Sequence, residues 1–189
     1  MKKIAMILAN GMKDYEIIIP LYIWKKAGLS VSLVSIEKKN SVLLETGFKL
    51  TCSDILEKIN LSQYNAIYIP GGEGVNSFSF ENWPIKKNVD SIKRFITNIS
   101  KIINEEEKML LMTDESAEIL LTLKLLKELP SQITTLKESS EGIQKVGSSY
   151  FVKGYNALTD FSIHIAKILL NGEKLDKFKD VCNLVNYEE

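Results

Sequence analysis

Short apolar runs alternate with longer mixed stretches along the whole chain. Ile4 to Ala9 is an unbroken apolar run, suited to a strand buried on both faces. Asp14 can cap a helix reaching about Ala27, and Gly28 stops it. Val31 to Ile36 is the next strand. Ser41 to Thr51 holds two short β-like pieces around Gly47, read as a hairpin, and Ser53 or Asp54 can start a short helix. Ala66 to Ile69 is a buried strand closed by Pro70-Gly71-Gly72. Pro84 suits the first turn of a long helix to about Asn104. Lys108 to Thr113 is a strand, and Glu115 to Leu129 a helix ended by Pro130. Ile133 to Leu136 and Tyr150 to Val152 are short strands. Ala157 to Leu170 is a helix stopped by Asn171-Gly172, and a last helix covers about Leu175 to Val185.

Repeated strand–helix units with short joints predict an α/β fold, a mostly parallel sheet with helices on both faces. No Pro-, Gly- or Ser-rich linker divides the chain, so residues 1–189 read as a single domain. The helix Tyr15-Ala27 stands apart. From Ile17 to Trp24 it is apolar nearly all round, and it contains Pro20. Such a helix must be covered on more than one side, by later helices of the chain or by a second subunit. Pro20 should kink it, because proline removes a backbone donor.

Composition narrows the function classes. The chain has 189 residues, 45% hydrophobic and 25% charged, enough for one sizeable core. Lys plus Arg is 24, Asp plus Glu is 24, and the formal net charge is zero. With no basic field, and with Arg94 as the only arginine, nucleic acid is not an expected partner. Two cysteines, Cys52 and Cys182, and one histidine, His164, offer neither a disulfide scaffold nor a metal site. Met1-Lys2-Lys3 before Ile4 to Ala9 imitates a leader peptide, but the apolar stretch is short and Asn10-Gly11 ends it. No run reaches the roughly 18 apolar residues of a membrane span. The expectation is a soluble, cytoplasmic protein with no metal and no cofactor.

Ligands of open parallel sheets bind beyond the carboxyl ends of the strands. Glu16, Gly72 and Asp114 follow three predicted strands and would converge there if those strands are neighbours. Gly71-Gly72-Glu73-Gly74 is either a tight turn or a cradle of backbone N–H groups for an anion. It lacks the spacing of a nucleotide loop. Asp114 is either a helix N-cap or a nucleophile raised on a strand-to-helix elbow. His164, among Ile163, Ile165 and Ala166, reads as a helix-packing residue.

These residues resemble the ThiJ/PfpI superfamily, the branch with the Parkinson-disease-associated deglycase and chaperone-like proteins. The likeness runs from Lys3 to about Gly172. It is carried by Ile4 to Gly11, Glu16, Ile19-Pro20, Lys25 to Gly28, Ile67-Tyr68-Ile69-Pro70-Gly71-Gly72, Lys153-Gly154 and the helix from Thr159. The resemblance implies a flavodoxin-like three-layer αβα sandwich, usually dimeric through the first helix, and related to class I glutamine amidotransferases. It also implies that the family's reactive cysteine falls at Asp114, a typical glycine at Ser116, and the family histidine at Leu136, while the family glutamate is kept as Glu16. The expected protein is therefore a homodimer with a degenerate site, a non-catalytic binding or regulatory protein with room for a small-molecule ligand. Asp114 and Glu16 would share a proton at about 3 Å, imitating an oxidised thiol. The competing expectation is a hydrolase or deglycase-type enzyme. It would use Asp114 as nucleophile and Glu16 as base, with an oxyanion-type pocket of the Gly72 and Glu115 backbone N–H groups. A plain oligomerising scaffold is the third.

Overall fold

Five parallel pairings and one antiparallel one build the sheet. In this computed structural model the described residues are 1–78, 95, 99, 101, 108–122 and 142–171. The strands are β1 (Lys3–Leu8), β2 (Ser30–Ser35), β3 (Ser41–Leu43), β4 (Lys49–Thr51), β5 (Asp54–Ile55), β6 (Ala66–Ile69), β7 (Met109–Thr113), β8 (Gly142–Val146) and β9 (Ser149–Lys153). Seven of them form one sheet in the order β5-β2-β1-β6-β7-β9-β8, and only β8 runs antiparallel to its neighbour. β3 and β4 form a separate hairpin.

The unbroken apolar runs occupy the centre of this order. Ile4 of β1 stands opposite both Val31 and Ala66, and residues Ile4 to Leu8 are fully buried. β6 is buried throughout. A strand with neighbours on both edges and helices on both faces has no solvent side for polar residues. The edge strand β8 is half-exposed and was not expected from the sequence. Its stretch Gly142 to Val146 carries no apolar run, and only pairing with β9 identifies it.

The helices are α1 (Asp14–Lys26), α2 (Asp114–Thr122) and α3 (Ala157–Leu170). α1 and α3 pack together on one face, where the Trp24 indole N–H donates to the Ser162 carbonyl at 2.9 Å. α2 packs against β7, β9 and the 3-10 turn at Glu73–Phe78. Of the long helix expected from Pro84, Phe95, Ile99 and Lys101 are described, and all three are helical. The expected strand at Ile133 to Leu136 and helix at Leu175 to Val185 lie outside the described residues.

Two local expectations are corrected. Asp14 is not the cap of α1. Lys13 holds the cap position without a side-chain cap bond, and the Asp14 carboxylate instead accepts from the Thr46 hydroxyl and N–H, at 2.5 and 3.2 Å. The hairpin turn, packed beside the helix start, competes for that carboxylate. At Asp54 the chain forms β5 rather than a helix, because β2 offers a parallel edge, and 3-10 turns at Leu56–Lys58 and Leu61–Gln63 follow.

Pro20 lies inside α1, which continues through it. Its missing N–H would have donated to the carbonyl four residues earlier, that of Glu16. The buried Tyr68 hydroxyl of β6 donates to this carbonyl at 2.8 Å. Tyr68 is held for that purpose by Trp24 and Phe161, with ring centroids 5.2 and 6.2 Å away. Tyr68→Phe strips the partner from a buried carbonyl, and should cost about 1–3 kcal/mol of unfolding free energy in urea denaturation. A cost near zero would mean that water or a shifted backbone satisfies the Glu16 carbonyl.

Candidate functional site

Two loops at the carboxyl ends of β1 and β6 lie backbone against backbone. Met12 and Gly72 form an isolated antiparallel bridge. The Lys13 N–H donates to the Gly71 carbonyl at 3.1 Å, and the Gly74 N–H to the Gly11 carbonyl at 3.2 Å. Gly72 adopts φ +99, and a Cβ there would stand 2.7 Å from the Gly11 carbonyl oxygen and the Lys13 nitrogen. A Cβ at Gly74 would stand 2.6 Å from the Asn10 carbonyl oxygen. The glycine run is thus first a device for close backbone approach.

This contact brings three charged side chains together. Glu16 is 5% exposed, and its Oε2 accepts from the Gly71 N–H at 2.5 Å. Glu115 Oε2 accepts from the next amide, the Gly72 N–H, at 2.5 Å. Lys13 Nζ donates to Glu115 Oε1 at 2.5 Å and stands 3.8 Å from Glu16 Oε1. Gly71 has no side chain to separate these groups. A Cβ there would lie 2.7 Å from Glu115 Oε2, 2.8 Å from Thr113 Oγ1 and 2.9 Å from Glu16 Oε2.

Burial pushes the Glu16 carboxyl above the ordinary carboxylate range; the Gly71 N–H, the Lys13 charge and the Thr113 hydroxyl pull against that, and the Glu115 charge adds to it. For Lys13, burial works to lower the value, but the hydrogen bond to Glu115 and the charges of Glu16 and Glu115 raise it overall.

β7 hands over to α2 at Thr113–Asp114. The Ser116 hydroxyl stitches this junction: its oxygen accepts from the Thr113 N–H at 3.0 Å and lies 2.8 Å from the Ile69 carbonyl and 3.0 Å from the Thr113 carbonyl. Asp114 is the first residue of α2, and among the described residues Asn171 alone has a positive φ outside glycine. Of the two readings of Asp114, the nucleophile elbow finds no left-handed backbone angle here.

A cavity of about 90 Å³ opens beside this junction, lined by Lys13, Tyr15, Glu16, Thr113, Asp114 and Tyr155 among others. Tyr15 and Tyr155 meet edge to face with centroids 5.0 Å apart. Glu16 and Asp114 therefore line one cavity, while the hydrogen bonds of the Glu16 carboxyl go to Gly71 and Thr113. The neighbouring carboxylate whose charge acts on Glu16 is that of Glu115, which binds Gly72 and Lys13. With the helix starting at Asp114, the following residue is the one that turns toward Gly71-Gly72. The Gly72 N–H, expected to be open to an oxyanion, is held by that Glu115 side chain. Sequence reasoning used only the backbone of Glu115 and missed Lys13 altogether.

The remaining candidates lie elsewhere. Cys52 does not line the cavity; burial pushes its thiol up to about 11. His164 is exposed rather than packed in the core, with its ring 5.9 Å from that of Tyr150. Leu136 and Cys182 are outside the described residues. Among the described residues no group of three or more His, Cys, Asp or Glu is placed to hold a metal ion. No helix among them is long and apolar enough to cross a membrane.

The raised Glu16 carboxyl fixes a sign. A group that holds its proton more tightly in the folded chain favours folding at acid pH, and that contribution is lost as pH climbs through the raised value. Glu16→Gln removes the titration. The urea unfolding free energy of wild type minus that of Glu16→Gln should fall as pH rises above the ordinary carboxylate range. A rising difference would mean that the Lys13 charge and the hydrogen bonds outweigh burial.

The comparisons agree with this architecture. A Mycoplasma pneumoniae protein without an assigned function is 26% identical over 148 residues, 78% of this chain and 66% of its own length. Among solved structures, a mutant of a DJ-1 superfamily protein from Salmonella typhimurium superposes with TM-score 0.78 at 19% identity, covering 100% of both chains. Oxidized Toxoplasma gondii DJ-1 does so with TM-score 0.76 at 14% identity, again over 100% of both. The shared fold is the mostly parallel, flavodoxin-like α/β sheet described above. The DJ-1/PfpI family profile matches residues 2–102, which include β1, α1, Glu16 and the Gly71-Gly72 loop. This chain belongs to the DJ-1/PfpI family.

Proposed function

We propose that this chain is a single-domain, non-catalytic DJ-1/PfpI protein whose degenerate site binds a small molecule. The observation that carries the reading is the junction at Asp114. Nucleophiles of this general architecture sit on a strained turn with free backbone donors in front of them. Here Asp114 opens an ordinary helix, Ser116 pins the turn, and the Gly72 N–H is engaged by a carboxylate. Carboxylate catalysis through Asp114 also needs a base for water. Glu16 is pushed by burial toward its protonated form, which makes it a poor one.

The test is incubation with methylglyoxal and with panels of small amides and esters. No turnover above the buffer rate is expected from wild type. Turnover that disappears in Asp114→Ala would overturn the non-catalytic reading and establish the hydrolase alternative.

The second part of the proposal is a homodimer through the helix Tyr15-Ala27. The sheet and α3 cover Ile17, Pro20, Ile23 and Trp24, but Ile18 and Tyr22 remain 48% and 50% exposed. Asp14, Ile18 and Tyr22 follow one another at steps of four along a single helix stripe. Asp14 is tied to Thr46 in the β3–β4 hairpin, whose Leu43 and Phe48 are also exposed. The exposed apolar surface thus passes from helix to hairpin, as an interface between copies requires. Ile18→Glu should move the protein from the dimer mass to the monomer mass in light scattering coupled to size exclusion. A wild type that already elutes as a monomer at micromolar concentration would remove this part of the proposal.

A further inference from the structure

We propose that Glu115 is a built-in occupant of a carboxylate seat formed by the Gly72 N–H and the Lys13 ammonium. An external small carboxylate binds there when Glu115 swings out. The inference deepens the binding half of the proposed function by naming the ligand class.

The seat is made of parts that do not depend on Glu115. Gly72 is fixed by the loop-to-loop contact, with a φ and a backbone approach that no other residue tolerates. Lys13 is anchored through its own backbone N–H to the Gly71 carbonyl. The missing Cβ at Gly71 leaves room for a carboxylate oxygen to lie directly against the chain. The two oxygens of Glu115 take one donor each, as those of a free carboxylate would.

The occupant, by contrast, is able to leave. The Glu115 side chain is 41% exposed, whereas that of Glu16 is 7% exposed. Glu115 is the second residue of α2, where a solvated carboxylate still complements the positive end of the helix. Moving it outward therefore unpacks nothing in the core. Glu16 and Asp114 line the cavity that Lys13 also lines, and Glu73 follows Gly72 in the chain. These acidic groups set the ligand's charge. A monoanion replaces a monoanion with no change in net charge, while a phosphate dianion would add charge next to Asp114.

A tethered competitor lowers the apparent affinity of an external ligand by the fraction of time the seat is free. The experiment follows the Gly72 backbone amide by nitrogen-15 NMR during titration with sodium acetate, against sodium chloride at matched ionic strength. Glu115→Ala should bind acetate at least about ten-fold more tightly than wild type, with the Gly72 amide moving to saturation. Glu115→Gln, which keeps the shape but loses the charge, should fall between them. Adding Lys13→Met to Glu115→Ala should abolish the gain, and phosphate should bind more weakly than acetate. Amide shifts of glycines remote from the seat report that each variant is folded. Equal affinity in wild type and Glu115→Ala, or a Gly72 amide that does not move, overturns the proposal. Turnover has no part in this readout, so a failed titration and a failed non-catalytic reading are distinguishable.

Discussion

Glu16 is fastened at both ends of its residue. Its carboxyl takes the Gly71 N–H, and its backbone carbonyl takes the Tyr68 hydroxyl. Taking a carboxyl out of water is costly unless hydrogen bonds replace the lost solvent. The fold supplies them by joining the first turn of α1 to the end of β6 through one residue. Pro20 makes the second bond necessary, and the aromatic cluster of Trp24, Tyr68 and Phe161 makes it possible. The Met12–Gly72 bridge then closes the gap between the two loops and sets the adjacent Gly71 and Gly72 amides where two carboxylates reach them.

The chemistry of the site follows from how these donors are distributed. One backbone amide serves a buried glutamate and the next serves a half-exposed one, while Lys13 bonds the half-exposed carboxylate and lies within ion-pair range of the buried one. Asp114, on the strand-to-helix junction, lines the cavity but takes none of these donors. The strand-to-helix junction is therefore an ordinary helix start, and the polar interactions gather on the next residue, Glu115, and on the loop after β6.

Much of the fold was legible because the central strands are apolar at every position. β1, β6 and β7 could be placed from their runs alone, whereas their adjacency was a condition that only the pairing of β6 with both neighbours meets. The edges were harder. β8 has no run to betray it, and β5 exists only because β2 has a free edge. In the site, Glu16 and Gly72 were readable from motif and position. Glu115 was not, since an acidic residue in a first helical turn is already accounted for by the helix dipole. Lys13 was hidden for a similar reason, as one lysine among many with nothing local to mark it. Asp14 misled because a good capping residue was drawn instead to a hydroxyl distant in sequence.

The Ser116 stitch limits what position 114 can present. A side chain placed there stands on a helix start whose junction is pinned by a hydroxyl, with the neighbouring Gly72 amide already filled by Glu115. Its reach toward the loop after β6 is governed by residues 115 and 116, and a change at 114 alone leaves the donors of that loop engaged.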